Sequence, residues 1–112
     1  LETVLAEKIE TVLSRSIANT RPRDFYDIHI IYVLRGTECD KDILRQALER
    51  TTKKRGSGHV MQNFMDIIEE IRASHQMQSL WKKYQNNFDY ASDISFEEVC
   101  NTIQSIMSEV MV

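Results

Sequence analysis

Only one proline and three glycines interrupt this 112-residue chain, and two of the glycines sit together in Gly56-Ser57-Gly58. Proline and glycine are the strongest local breakers of regular structure, so their scarcity leaves long uninterrupted stretches. Those stretches repeat apolar residues every three or four positions, the period of a helix with one buried face. The expectation is an all-α fold, a bundle of about five or six helices joined by short polar turns.

From Thr3 to Ala18, Val4, Leu5, Ile9, Val12, Leu13 and Ile17 form the first stripe. Asn19, Thr20 and Pro22 break it. Thr20 or Arg21 can cap a second helix, and Pro22 suits the first turn, where a missing N–H costs nothing. That helix is expected to reach about Arg35. Its centre, Phe25 to Leu34, is apolar on most faces and rich in β-branched residues, which makes a buried strand a competitor; length and the Pro22 start favour helix. After Arg35-Gly36, Asp40 can cap a third helix to about Lys53, with Ile43, Leu44, Ala47 and Leu48 buried. A fourth is expected from His59 to Arg72 and a fifth from Gln76 to Asn86. The last begins at Ser95-Phe96-Glu97-Glu98, where Ser95 and Glu98 can satisfy each other's backbone N–H groups in a capping box.

Residues 1–112 read as one helical domain, with no internal repeat or linker. A chain of this length buries roughly 65% of the surface it would expose unfolded. Its 42% apolar and 28% charged residues argue against disorder, and no apolar run approaches the roughly 18 residues of a membrane span. No membrane partner is expected. The net charge of −3 gives no global attraction to nucleic acid, so an anion site must come from local clustering of Arg and Lys. Cys39 and Cys100 lack metal or redox spacing and are expected to be reduced and buried in a cytoplasmic protein. The chain begins with Leu1, inside a stripe already under way and without a signal-peptide layout, and is expected to be part of a longer protein.

One region concentrates groups able to do chemistry. Lys8 lies four residues after Val4 and four before Val12, on the margin of the first stripe, while Glu7, Glu10 and Ser14 are expected to face away. Arg15 shares that margin. Two such cations can meet a triphosphate, Lys as a compact charge and Arg as a planar fork; equally, they can lay their methylenes over apolar surface with the charge in water. Between Thr11 and Arg23 stand Arg15, Arg21 and Arg23 and no acid. Together with the free N–H groups of a starting helix this is a local anion trap, or else an ordinary solvated turn. Asp24 and Asp27, three apart, share a helical face that runs into the buried side. An enclosed carboxylate needs a partner, which Lys8 or Arg23 can supply.

The order Lys8, then Arg23-Asp24-x-x-Asp27, resembles the third and fourth motifs of the AbiEii-type nucleotidyltransferase toxins, a branch of the DNA polymerase β-like superfamily. The stretches Ile71-Arg72 through Leu80-Trp81-Lys82-Lys83-Tyr84, Phe88-Asp89-Tyr90-Ala91 and Ser95-Phe96-Glu97 are similar to the family's C-terminal helices. The resemblance implies that Lys8 contacts nucleotide phosphates and that Asp24 stands at the nucleotide site, so both are candidate catalytic residues. Arg15, Arg21, Arg23 and Asp27 are candidate nucleotide-binding residues around them. It further implies a type IV toxin–antitoxin, phage-defence role. The element that opens the family's active site, a Gly-Ser turn followed shortly by an Asp-x-Asp strand, does not occur in this sequence: Gly56-Ser57 is not followed by that acidic pair. The chain is therefore expected to be the C-terminal portion, inactive alone, with a nucleoside triphosphate and Mg²⁺ used by the intact parent, no tightly bound cofactor here, and no metal ligands assigned. Expected partners are the nucleotide, the N-terminal nucleotidyltransferase domain, and an RNA or protein acceptor. The alternative is a non-catalytic helical module that binds a protein or nucleic acid.

Other features are read as structural. Arg50, Lys53, Lys54 and Arg55 beside Gly-Ser-Gly lack phosphate-loop spacing and read as a solvated helix end. Trp81, Tyr84 and Phe88 can stack bases, but at helical spacing they read first as core. His29, His59 and His75 are scattered and have no assigned role.

Overall fold

In the computed structural model, which describes residues 1–19 and 21–111, the stripes become seven α-helices, with no strand among the described residues. Helix α1 spans Glu2–Arg15, α2 Pro22–Arg35, α3 Lys41–Arg55, α4 His59–Gln62, α5 Phe64–Ala73, α6 His75–Asn87 and α7 Phe96–Val110. Single 3₁₀ turns follow α1 at Ser16–Ala18, α2 at Gly36–Glu38 and α6 at Asp89–Ala91. The strand competitor for Phe25 to Leu34 loses: the segment is helical throughout.

Start and stop signals act through identifiable atoms. Asp40 accepts N–H bonds from Asp42 and Ile43 at 2.9 and 3.1 Å, opening α3. Gly56, in the left-handed conformation at φ 70° and ψ 27°, closes it at Arg55, a position glycine occupies without the Cβ penalty. Ser95 and Glu98 form the capping box of α7 in both directions. Thr20 lies outside the described residues. Arg21 occupies the N-cap of α2 without a side-chain cap bond, Pro22 takes the first turn, and Asn19 braces the start, its Oδ1 accepting the Arg21 N–H at 2.8 Å.

The count of helices exceeds five or six because the expected His59–Arg72 helix is two. Asn63 sits at φ −100° and ψ 13°, outside the helical well, a conformation asparagine tolerates because its amide competes locally with backbone hydrogen bonding. Val60 packs fully on one side of the break, and Ile68 and Ile71 on the other. The first helix is shorter than expected, ending at Arg15. Ile17 is thereby turned into the 3₁₀ turn and exposed, as are Val4, off the centre of the stripe, and Ile43 on α3.

Helix α1 is central. Leu5, Ala6, Ile9, Val12 and Leu13 are buried, packing mainly on α3 and then on α2, while α7 closes the bundle across α2 and α5. Fully burying residues of this size contributes about 1.5–3 kcal/mol each. Trp81 is buried, stacks on Tyr84 with centroids 5.4 Å apart and donates its indole N–H to the Ile94 carbonyl at 2.9 Å. Cys100 is buried, and burial pushes its thiol up to about 12; Cys39, expected buried, is only partly covered. Among the described residues no helix is long and apolar enough to cross a membrane.

Candidate functional site

The contact of α1 with α2 brings the first cluster together. Lys8 Nζ donates to Asp27 Oδ2 at 3.0 Å, and Arg23 Nε stands 3.8 Å from the same oxygen. Both Lys8 and Asp27 are partly covered, whereas the Arg23 side chain is 73% exposed. Asp27 is thus held between two cations, one partly covered and one in solvent.

Asp24 is the more buried acid, at 7% exposure, and the less satisfied. Asn19 Nδ2 donates to its Oδ2 at a long 3.5 Å, and Arg21 Nη2 is 4.0 Å from Oδ1. An ionised carboxylate has about four acceptor positions, so toward the described residues Asp24 keeps acceptor capacity unused. It opens into a groove of about 330 Å³ whose walls include Lys8, Thr11, Arg15, Arg21, Asp24 and Arg55.

Of the six residues singled out from the sequence, Lys8, Arg15, Arg21 and Asp24 line this groove; Asp27 and Arg23 stand beside it. Arg15 has no carboxylate within 4 Å among the described residues. Groove carboxylates are present too, including Glu7 at the rim, so the anion-attracting character is local to the arginines and Lys8.

One expectation is corrected here. Glu10 does not face away: it is 3% exposed, because Ala6, Glu10 and Leu13 share a helical face whose other members are core. Its carboxylate accepts from Arg55 Nη1 at 2.5 Å and from Ser57 Oγ at 2.6 Å. Arg55 is exposed, as Arg50, Lys53 and Lys54 are, so the cluster is solvated as expected, but its guanidinium is also tied to Glu10. The spacing of Ala6 and Leu13 was the available signal for Glu10; nothing local pointed from Glu10 to Ser57, 47 positions away. A second hollow of about 460 Å³, lined by Glu10, Thr11, Ser14, Arg15, Arg55 and Ser57, adjoins the first.

The aromatic stripe divides. Trp81 and Tyr84 are core, but Phe88 is 42% exposed and lies with Tyr90 and Tyr26 in a cluster of rings at the surface. Tyr84 and Tyr90 share a hydroxyl–hydroxyl bond at 2.7 Å, and burial with that bond raises the Tyr84 phenol. His29 is buried against Thr102 at 2.7 Å.

A lysine held by an aspartate across two helices, in a groove with a second aspartate and three arginines, is suited to holding phosphates. Residues 1–102 match the family model described as nucleotidyl transferase AbiEii toxin, type IV toxin–antitoxin system. The chain belongs to the AbiEii toxin family. No curated protein and no solved structure gives a significant match to it. In this AbiEii-family chain Asp27 is already engaged by two cations, and among the described residues no three His, Cys, Asp or Glu side chains lie together as a metal site.

Proposed function

We propose that this chain is the C-terminal helical half of a nucleotidyltransferase toxin and forms the phosphate-binding wall of its active site. The carrying observation is the placement of Lys8, fixed by Asp27 at 3.0 Å, in one groove with Arg15, Arg21 and the under-coordinated Asp24. Family membership supplies the reaction class.

In nucleotidyl transfer, an acceptor oxygen forms a bond to the α-phosphorus of a nucleoside triphosphate while the α–β bridging bond breaks and pyrophosphate leaves with the electron pair. Charge grows on the departing oxygens, and preorganised cations stabilise it most where water is excluded. Lys8 and Arg15 supply that charge from α1 and Arg21 from the start of α2. Asp27 orients Lys8; Asp24 faces the nucleotide. We assign Mg²⁺ no ligand in this chain, and the acceptor is an RNA or a protein.

The test uses the full-length toxin expressed in a susceptible host without its antitoxin. Lys8→Ala and Asp24→Ala should each abolish growth inhibition while leaving the circular dichroism spectrum helical. Growth inhibition retained in both variants would sink the site assignment.

A further inference from the structure

Arg55 is exposed like Arg50, Lys53 and Lys54, yet among the described residues it alone of the four is paired with a carboxylate. Gly56, left-handed, turns the chain back so that the Ser57 N–H reaches the Thr52 carbonyl at 2.8 Å. That reversal brings Ser57 Oγ onto Glu10 Oε2, leaving Oε1 for Arg55 Nη1. A buried carboxylate with both oxygens occupied is a rigid anchor, and it fixes the guanidinium of a side chain that is otherwise 42% exposed.

The way the guanidinium is held determines what it can still do. Nη1 is spent on Glu10, with Thr11 Oγ1 at 3.3 Å. Among the described residues, Nε and Nη2 donate to no side chain. These two form the side edge of the fork, whose parallel N–H groups match two oxygens of one phosphate. Arg55 also borders both the groove containing Lys8 and Asp24 and the adjoining hollow, with Arg15 common to the two.

We propose that Arg55 is a phosphate-binding residue of this groove, presented by Glu10 from the end of α3, so that the anion-binding edge runs from Arg21 through Arg15 to Arg55. The ligand class is a polyphosphate chain, as in a nucleoside triphosphate or the pyrophosphate it releases. Glu10 and Ser57 are positioning residues: they touch no ligand and set the direction of the fork. The inference rests on the phosphate-wall reading of the groove.

The experiment is an NMR titration of this ¹⁵N-labelled chain with inorganic tripolyphosphate at constant ionic strength, following the arginine Nε–Hε signals. Those of Arg55 and Arg15 should shift saturably with a common dissociation constant. Arg55→Lys, which keeps a cation for Glu10 but loses the fork, should weaken binding about fivefold or more, while Arg50→Lys on the same helix leaves it unchanged. Lys8→Ala separates the two levels. Weakening by Lys8→Ala with no effect of Arg55→Lys and no Arg55 shift overturns the role of Arg55 and leaves the groove reading standing. No saturable shift at either arginine overturns both. Should Arg55→Lys fold poorly, the Arg55 Nε–Hε shift in the unaltered protein still decides.

Discussion

Lys8 Nζ and Asp27 Oδ2 lie 3.0 Å apart across 19 positions of sequence, and this pair both locks α1 to α2 and aims a cation at the groove. Its two roles separate by magnitude. The pair is partly exposed, and Asp27 keeps Arg23 at 3.8 Å when Lys8 is removed. Lys8→Ala is therefore expected to cost about 1 kcal/mol of stability, measured from urea midpoints. A loss beyond about 3 kcal/mol, the range of a broken buried pair, would make Lys8 a structural pillar and remove the reason to read its loss of toxicity as chemistry.

Ser16 ends α1 at φ 47° and ψ −129°, a left-handed conformation that costs a non-glycine residue about 1–3 kcal/mol. Its hydroxyl is also buried, with no hydrogen-bond partner among the described residues. Glycine relieves both and gives back about 0.5–1 kcal/mol through the more flexible unfolded chain. Ser16→Gly should raise stability by about 1 kcal/mol net, read as a higher melting temperature. A lower melting temperature would show that the hydroxyl has a role in shaping the turn that leads to Asn19 and Asp24.

His29 makes stability depend on pH in a defined direction. Thr102 gives its hydroxyl proton to the Glu98 carbonyl at 3.0 Å, so its oxygen is free to accept from His29 Nδ1 at 2.7 Å. Burial lowers the imidazole below its ordinary 6.5, partly opposed by the Glu98 carboxylate on α7. With the folded value depressed, the unfolded chain binds the proton first as pH falls. Stability from this group is complete above about pH 6.5 and declines as pH drops toward the folded value. Urea midpoints between pH 8 and pH 5 should fall in the unaltered protein and fall less in His29→Asn; parallel profiles would show that other groups carry the dependence.

Where the sequence was legible, a local pattern carried the information. The capping box at Ser95, the Asp40 cap and the proline in the first turn of α2 depend on residues within four positions of each other, and each is present in the fold. Boundaries were less legible where one residue outweighed a stripe, as Asn63 does in dividing α4 from α5 and Ser16 in ending α1 before Ile17.

The candidate site divides along the same line. The sequence by itself determined an all-α chain, the order of Lys8, Arg15, Arg21, Asp24 and Asp27, and membership of its family. Only the tertiary structure decided that Asp27 takes Lys8 while Asp24 stays under-coordinated, that Glu10 is buried, and that Arg55 comes from 45 positions away to share its carboxylate. Helical periodicity says which residues share a face. It does not say which helix lies across from that face, and here the packing of α3 on α1, with the reversal at Gly56, chooses the partner.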